Sequence, residues 1–541
     1  MSPLAAAAAA PRVSARPRIL VADQLAEDGL ARLRQVADVD VRLKLSEDQL
    51  VRAVPEFDAL VVRSQTKVTS AVLEAGERLR VVGRAGVGID NIDLDAATRH
   101  GILVVNAPRG NIIAAAEHAV ALLLALARNI AQADASMRRG EWERSRYTGA
   151  EIRGKVLGIV GLGNIGSEVA RRAQGLELDV IAYDPAVPPE RAEHFNVELV
   201  GLDELFRRAD FISVHAPLVE GTRNLIGARV LDLAKPTARL VNAARGGIVD
   251  EAALYDALAG GRLAGAAADV FAEEPPGASP LLRLPNFLAT PHIAASTHEA
   301  QVSVAADVAE EVLAVLRGEL PRYAVNAPAL TPEEMAFLRP YAVLAERLAA
   351  LHRQLTDGAF GQLELDYQGE LAERDVSLLT AAAIAGLLQP FTEGRINAVN
   401  ARLVLAGRGL RLVERRMPDA AGGYPNRIVL RADGFELAGT ILVGEPHVIR
   451  IGPFRVDLVP EGRFLVSRHS DRPGVVGHIG TILGENDVNI ASMELGRDAP
   501  RGRAMMILAV DDPVSEPVLE RLRAVAGLEE LRYVELGALD G

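Results

Sequence analysis

Short apolar runs alternate along most of the chain with stretches in which apolar positions return every three or four residues. The runs at 18–22, 38–43, 59–63, 80–83 and 103–106 are rich in Val, Ile and Leu and predict buried strands. The amphipathic stretches between them predict helices. Strands that alternate with helices form a parallel sheet covered on both faces. The Ala- and Leu-rich stretch at 111–131 predicts one long helix. The runs at 155–160, 179–183, 211–215, 240–243, 265–270 and 287–290 predict a second doubly wound sheet. A helical stretch at 298–317 returns the chain to the first unit. That unit is therefore expected to comprise 18–110 and 293–325, with the second unit, 111–292, inserted in it. Past residue 326 the rhythm changes. Residues 326–460 mix helices such as 377–388 with strands such as 362–367 and 428–431, an α+β pattern. From 463 to 541 the order strand, helix, strand, strand, helix, strand predicts a ferredoxin-like sandwich.

At 541 residues the chain is too long for a single core. Apolar residues at 49% and charged residues at 24% are ordinary globular usage, which excludes disorder of the whole chain. A net charge of −13 disfavours a nucleic-acid partner, whose phosphates need a basic face. It leaves room for a local basic pocket. The absence of cysteine excludes disulfides and thiolate sites, and no metal-ligating set is expected. No apolar run reaches the roughly 18–20 residues that cross a bilayer, so a cytoplasmic location without a membrane partner is expected. Residues 1–17 are Ala-rich, with Arg and no acid, a bias also seen in transit peptides. With the first strand starting at once, a flexible tail is the preferred reading.

The strand ending at Val160 runs into Gly161, Gly163 and Gly166 in G-x-G-x-x-G spacing, followed by a helix. Asp184 ends the next strand. In this setting the glycines have separate tasks. Gly161 permits a tight turn, Gly163 admits a pyrophosphate, and Gly166 lets helix and strand pack closely. The helix start offers free amides to phosphate. The Asp184 carboxylate accepts from both ribose hydroxyls and repels a 2′-phosphate, so the cofactor expected is NAD.

Three further motifs lie near strand ends: Asn242 to Gly247, Asp269 to Pro275, and Thr290 to Thr297. Oxidising a 2-hydroxy acid needs a base for the hydroxyl proton, and His292 suits it. It needs a cation for carboxylate and carbonyl oxygens, and Arg245 brings a planar fork that stays charged. It is helped by a carboxylate that orients the base, and Glu274 is placed for that. Singly, these residues also read as a structural histidine, a surface ion pair and a solvated acid. After a dinucleotide turn the combination reads as a catalytic set.

The order of glycine turn, Arg245, Glu274 and His292 resembles the D-isomer-specific 2-hydroxyacid dehydrogenases over residues 18–325. The resemblance implies the three roles just given and a substrate domain that closes against an NAD domain. Within that family the segments 62–68, 83–93 and 111–118 are most similar to phosphoglycerate dehydrogenases. By that resemblance Arg63, Ser64 and Asn111 meet substrate together with Arg245 and His292, and Arg63 and Lys67 supply charge for a phosphate. NAD is then met by Val87, Asn164, Ile165, Asp184, Ala216, Ala243, Ala244, Arg245, Asp269, His292, Ile293, Ala294 and Ala295, besides the three glycines. Val87 and Ala216 lack a hydroxyl present in some relatives, so only their backbone is expected to contribute. The implied reaction converts 3-phosphoglycerate to 3-phosphohydroxypyruvate, the entry to L-serine biosynthesis.

The run from His469 to Gly477 with Asp487 and Asn489 resembles an ACT domain. Such domains pair side by side and hold amino acids at the shared interface. His469, Asp471 and Asn489 match positions that bind serine in regulated members; a purely structural dimerisation module is the alternative. Residues 326–460 resemble the extra domain of the long type of these enzymes, which implies an anionic effector or a role in assembly. A homo-oligomer, dimer or tetramer, is expected. The competing functions are a hydroxypyruvate or glyoxylate reductase, against which the C-terminal sensor argues, and an NAD-binding corepressor of the same fold.

Overall fold

Runs of Val, Ile and Leu, too apolar to face water on either side, become central strands of two parallel sheets. In the computed structural model, which describes residues 16–319, 321–328, 330–356, 360–392, 394–419 and 423–538, four main sheets follow one another. The tail expected at 1–17 falls, up to residue 15, outside the described residues. The first sheet has the spatial order Asp38–Val41, Arg18–Val21, Ala59–Val62, Val81–Arg84, Leu103–Asn106, all parallel. On one face Leu20, Leu60 and Val82 meet Leu50, Phe57 and Val72. On the other, Ile19, Val21 and Val61 meet Val304, Val308 and Val312 of the helix His298–Leu316. That helix starts at Thr297, whose hydroxyl accepts from the Ala300 amide at 3.1 Å. It lies close to the sheet because Gly83 has no side chain: a Cβ there would stand 2.6 Å from Val312 Cγ2. The chain thus returns to complete its first unit.

The second sheet has seven parallel strands in the order Phe287–Ala289, Gly265–Ala268, Arg239–Asn242, Phe211–Val214, Val156–Val160, Asp179–Tyr183, Glu198–Leu199. The single helix expected over 111–131 is two. Ile112–Ala127 packs on the second sheet through Ala119, Leu122 and Leu126, and Ile130–Arg138 turns away by 65°. The break is at Asn129, whose φ of 52° is left-handed. Asparagine tolerates this conformation, and it ends a helix. Among the described residues no single helix is long and apolar enough to cross a membrane.

The third sheet is mixed, in the order Arg411–Met417, Gln362–Gly369, Asn426–Ala432, Phe435–Leu442, Glu445–Ile451, Phe454–Leu458. Its first pair is parallel and the rest antiparallel. The helices Pro332–Leu355 and Ser377–Leu388 cover one face through Leu344, Leu348, Ile384 and Leu387. The fourth sheet, Ile490–Arg497, Arg503–Val510, Gly462–Ser470, Leu528–Leu536 in spatial order, is antiparallel, with helices Val475–Glu485 and Glu516–Arg523 on one face. This is the ferredoxin-like order. Its other face contributes Phe464, Ile507 and Val534 to the core of the third sheet, so the two share one interior. A loop of the third region meets the first unit at a turn: Asn397 Nδ2 donates to Gly101 O at 2.7 Å. Gly101 has φ +68°, and a Cβ there would sit 2.7 Å from Asn400 Nδ2, so the contact requires glycine.

Candidate active site

Both parallel sheets reverse their strand order once, and ligands of open α/β sheets bind at such reversals. In the first sheet the reversal lies between Arg18–Val21 and Ala59–Val62. The buried Asp23 carboxylate there accepts from the Arg63 amide at 2.6 Å, the Thr66 amide at 3.2 Å and the Thr66 hydroxyl at 2.8 Å. These bonds fix the turn that carries Arg63 and Ser64. In the second sheet the reversal lies between Val156–Val160 and Phe211–Val214, and brings Gly161 beside Ala216. Gly161 has φ +97°, and a Cβ on it would stand 2.7 Å from the Ala216 nitrogen. The two reversals open onto one cleft of about 470 Å³. Arg63, Ser64 and Val87 line it from the first unit, and Asn111, Ile165, Ala216, Ala243, Ala244 and Arg245 from the second. His292, Ala294 and Ala295 line it from the segment that crosses between them.

The glycine turn has the shape of a dinucleotide cradle. Gly163 precedes the helix Asn164–Gly175, and no side chain caps that helix, so its first amides are free of local side-chain acceptors. A Cβ on Gly163 would meet nothing within 4 Å, which leaves open space before those amides. A Cβ on Gly166 would stand 2.1 Å from Gly161 O, so the helix can rise there only from glycine. Asp184 accepts from the Leu162 amide at 2.8 Å and the Ala186 amide at 2.9 Å, and so holds the turn from beyond the next strand. Each of its oxygens keeps acceptor capacity for a hydroxyl. These residues fit NAD.

On the cleft wall His292 Nδ1 lies 2.7 Å from Glu274 Oε2. Glu274 Oε1 accepts from the Phe271 amide at 3.0 Å. Glu274 therefore sits on the Nδ1 side of the imidazole. His292 has φ 52°, a conformation that a non-glycine residue keeps only where its surroundings enforce it. Arg245 Nε is 3.2 Å from Asp90 Oδ2, and its Nη1 donates to Ala244 O at 2.7 Å. Asp269, expected at the cofactor, is fully buried beneath the loop. Its carboxylate accepts from the Thr290 hydroxyl and from the amides of Ile293 and Ala294, the last two at 2.9 Å. Burial opposes ionisation there, but the bonds from His118, Thr290 and the two amides prevail and hold its pKa below the ordinary aspartate value.

Arg84 and His215 are cleft residues that the sequence reading does not single out. Arg84 lines the cleft, and its Nε has no hydrogen-bond partner among the described residues. Burial, together with the neighbouring Arg245 and Arg63, pulls its pKa down to about 10. It ends the strand Val81–Arg84 just as Arg63 follows Ala59–Val62, so the strand-end rule alone points to it. His215 also lines the cleft, with Nε2 2.8 Å from Ser213 Oγ. Burial pulls its pKa down to about 4, so it is neutral near pH 7. Lys67 is not on the cleft wall.

The three residues expected at an effector do not meet within one chain. His469 pairs with Ala504, whereas Asn489 precedes Ile490, which pairs with Val510 at the far end of the same strand. The separation along that strand is about 20 Å. Asp471 lies near His469 and accepts from the Arg501 amide at 3.0 Å. Asn489 Nδ2 donates to Asp511 Oδ2. His469 is buried, its Nδ1 has no hydrogen-bond partner among the described residues, and burial lowers its pKa.

Residues 120–294 match the family model of the D-isomer specific 2-hydroxyacid dehydrogenase NAD binding domain. Residues 337–452 match the D-3-phosphoglycerate dehydrogenase intervening domain, and 463–527 match the ACT domain. The chain is 46% identical over 526 residues to D-3-phosphoglycerate dehydrogenase of Synechocystis sp., covering 96% of this chain and 95% of that one. It is 43% identical over 527 residues to D-3-phosphoglycerate dehydrogenase of Archaeoglobus fulgidus, covering 96% and 100%. Among solved structures it is similar to D-lactate dehydrogenase from Aquifex aeolicus complexed with NAD and lactic acid. That likeness has a TM-score of 0.52 and 27% identity, over 57% of this chain and 99% of that one. The chain belongs to the D-3-phosphoglycerate dehydrogenase family.

Proposed function

We infer that this chain oxidises 3-phosphoglycerate to 3-phosphohydroxypyruvate with NAD, as the first step of L-serine biosynthesis, in the cytoplasm. The observation that carries the reading is the cluster of Arg63, Arg84 and Arg245 around the cleft that holds His292. Three guanidiniums in one cleft repel one another, and the nearby Asp23 and Asp90 offset them only in part. A substrate with a phosphate and a carboxylate relieves that repulsion, whereas an uncharged tail such as that of lactate does not. Arg245 holds the substrate carboxylate and polarises the oxygen at C2. His292 takes the hydroxyl proton on Nε2, and Glu274 keeps the ring in that orientation and stabilises the resulting imidazolium. Arg63 and Arg84 hold the phosphate, with Ser64 and Asn111 as hydrogen-bonding neighbours. The residues that would hold NAD are the turn from Gly161 to Gly166, Asp184, the backbone at Val87, Ala216, Ala243 and Ala244, and the loop from His292 to Ala295. When bound, NAD supplies the acceptor for the hydride that leaves C2.

The decisive experiment is NADH formation from 3-phosphoglycerate, with the product trapped, by wild type and His292→Ala. Turnover lost in the variant supports the reading. No turnover, with hydroxypyruvate or glyoxylate reduced instead, replaces it with the reductase reading. NADH binding without either activity leaves a binding protein.

The C-terminal antiparallel sheet is read as a sensor that spans two copies, in keeping with the separation of His469 from Asn489 within one. L-Serine is held between two copies of the chain, with His469 and Asp471 from one and Asn489 from the other, in a homo-oligomer that also pairs through the NAD domains. Support comes from the match to an ACT domain and from the exposed Met493 and Leu495 on the outermost strand of that sheet. Serine at millimolar concentration should suppress turnover in wild type and leave Asp471→Ala and Asn489→Ala unaffected.

A further inference from the structure

We propose that His118 is a positioning residue for the dehydrogenase reaction: its Nε2 holds the Asp269 and Thr290 side chains that fix the loop carrying His292. The proposal rests on the reading just given. His118 stands on Ile112–Ala127, the helix that follows Asn111 at the cleft wall. Its Nε2 is 3.2 Å from Thr290 Oγ1 and 3.3 Å from Asp269 Oδ1. The Thr290 hydroxyl donates its one proton to Asp269 Oδ1 at 2.5 Å. Nε2 must therefore be the donor in its own contact with this pair, which fixes where the ring carries a proton.

The loop is wrapped around that carboxylate. The His292 amide donates to Asp269 O at 2.8 Å, and the next two amides donate to the carboxylate itself. His292 has a left-handed conformation, which persists only where its surroundings hold it, and these bonds flank it on either side. His118 reaches the Asp269 and Thr290 side chains from outside the segment 269–294. It ties the loop to the helix that joins the two units. Arg63, Arg84 and Arg245 do not take part, so substrate binding and loop geometry are separable.

Two replacements separate the hydrogen bond from mere bulk. His118→Phe keeps a ring and loses the donor; His118→Gln keeps an N–H at similar reach. In the full-length protein, His118→Phe should lower kcat about tenfold to a hundredfold, the range for a displaced catalytic group. KM for 3-phosphoglycerate should change less than about twofold, and His118→Gln should recover most of the lost rate. Thr290→Val should produce a similar loss, and the double variant His118→Phe/Thr290→Val should be little worse than either alone. Equal impairment in the Phe and Gln variants, a change confined to KM, or additive losses would overturn the proposal. A titration of NADH fluorescence needs no hydroxy acid. It should show affinity lost with Phe and restored with Gln even if 3-phosphoglycerate is not the substrate, so the two readings fail separately. If His118→Phe does not fold, Thr290→Val against Thr290→Ser decides: only the serine variant should keep wild-type rates.

Discussion

The pair of parallel-sheet units and the C-terminal antiparallel sheet build their sites in opposite ways. In the first, two sheets of one chain bring Arg63, Arg84, Arg245 and His292 to a single cleft. In the last, one sheet sets His469 and Asn489 at opposite ends of the same pairing. A doubly wound sheet gathers loops at a switch point because successive crossovers leave in opposite directions there. A small antiparallel sheet spreads its loops over two edges. The residues of the cleft gather within one chain, whereas His469 and Asn489 lie too far apart in one chain to meet the same small molecule.

The largest effect should come from breaking the self-contained site. His292→Ala should lower kcat about a thousandfold, independently of protein concentration, in a steady-state assay. Next is an acid sensitivity to which His215 of the cofactor half contributes. His215 has its pKa pulled from 6.5 to about 4 by burial, so between those values the unfolded chain binds a proton that the folded chain refuses. Stability should therefore fall as pH drops from 6.5 towards 4, by up to about 3 kcal/mol, and be unaffected by this group above that window. Urea melts of wild type and His215→Asn across the window check this; the variant should have the flatter profile. The glycines separate packing from binding. Gly166→Ala must displace the Gly161 carbonyl and should cost about 1–3 kcal/mol in the same melts. Gly163→Ala has room and should leave the midpoint unchanged while weakening NADH binding. Smallest on basal rate are Asp471→Ala and Asn489→Ala, expected to keep kcat within about twofold. If the sensor spans two copies, mixing these two variants should restore part of the serine response, since one junction of the mixed pair regains both residues.

Much of this was legible because the local signals agree with the fold. Gly161, Gly163 and Gly166 sit between an unmistakable strand and helix, and Arg245, Glu274 and His292 follow strand ends. The alternation of runs likewise gives both parallel sheets and the order of the last one. Other features carry no local mark. Asn129 interrupts an Ala- and Leu-rich stretch with one backbone torsion, and nothing in the periodicity shows it. Arg84 reads as one more basic residue until burial and two neighbouring guanidiniums give it meaning. Asp269 reads as a ligand residue, yet most of its visible work is to hold a loop, through partners as distant in sequence as His118. The parallel pairing of Gln362–Gly369 with Arg411–Met417 depends on the crossover between them, which pattern alone does not specify.

The helix His298–Leu316 adds a consequence for how the chain is made. The strands it covers leave the ribosome first, but the helix itself emerges about 190 residues after Asn106. At roughly 5–20 residues per second, the face bearing Ile19, Val21 and Val61 waits about 10–40 s for its cover. The second unit is synthesised entirely within that interval. Assembly thus runs from the inside of the sequence outwards, with the inserted unit free to fold before the unit that encloses it.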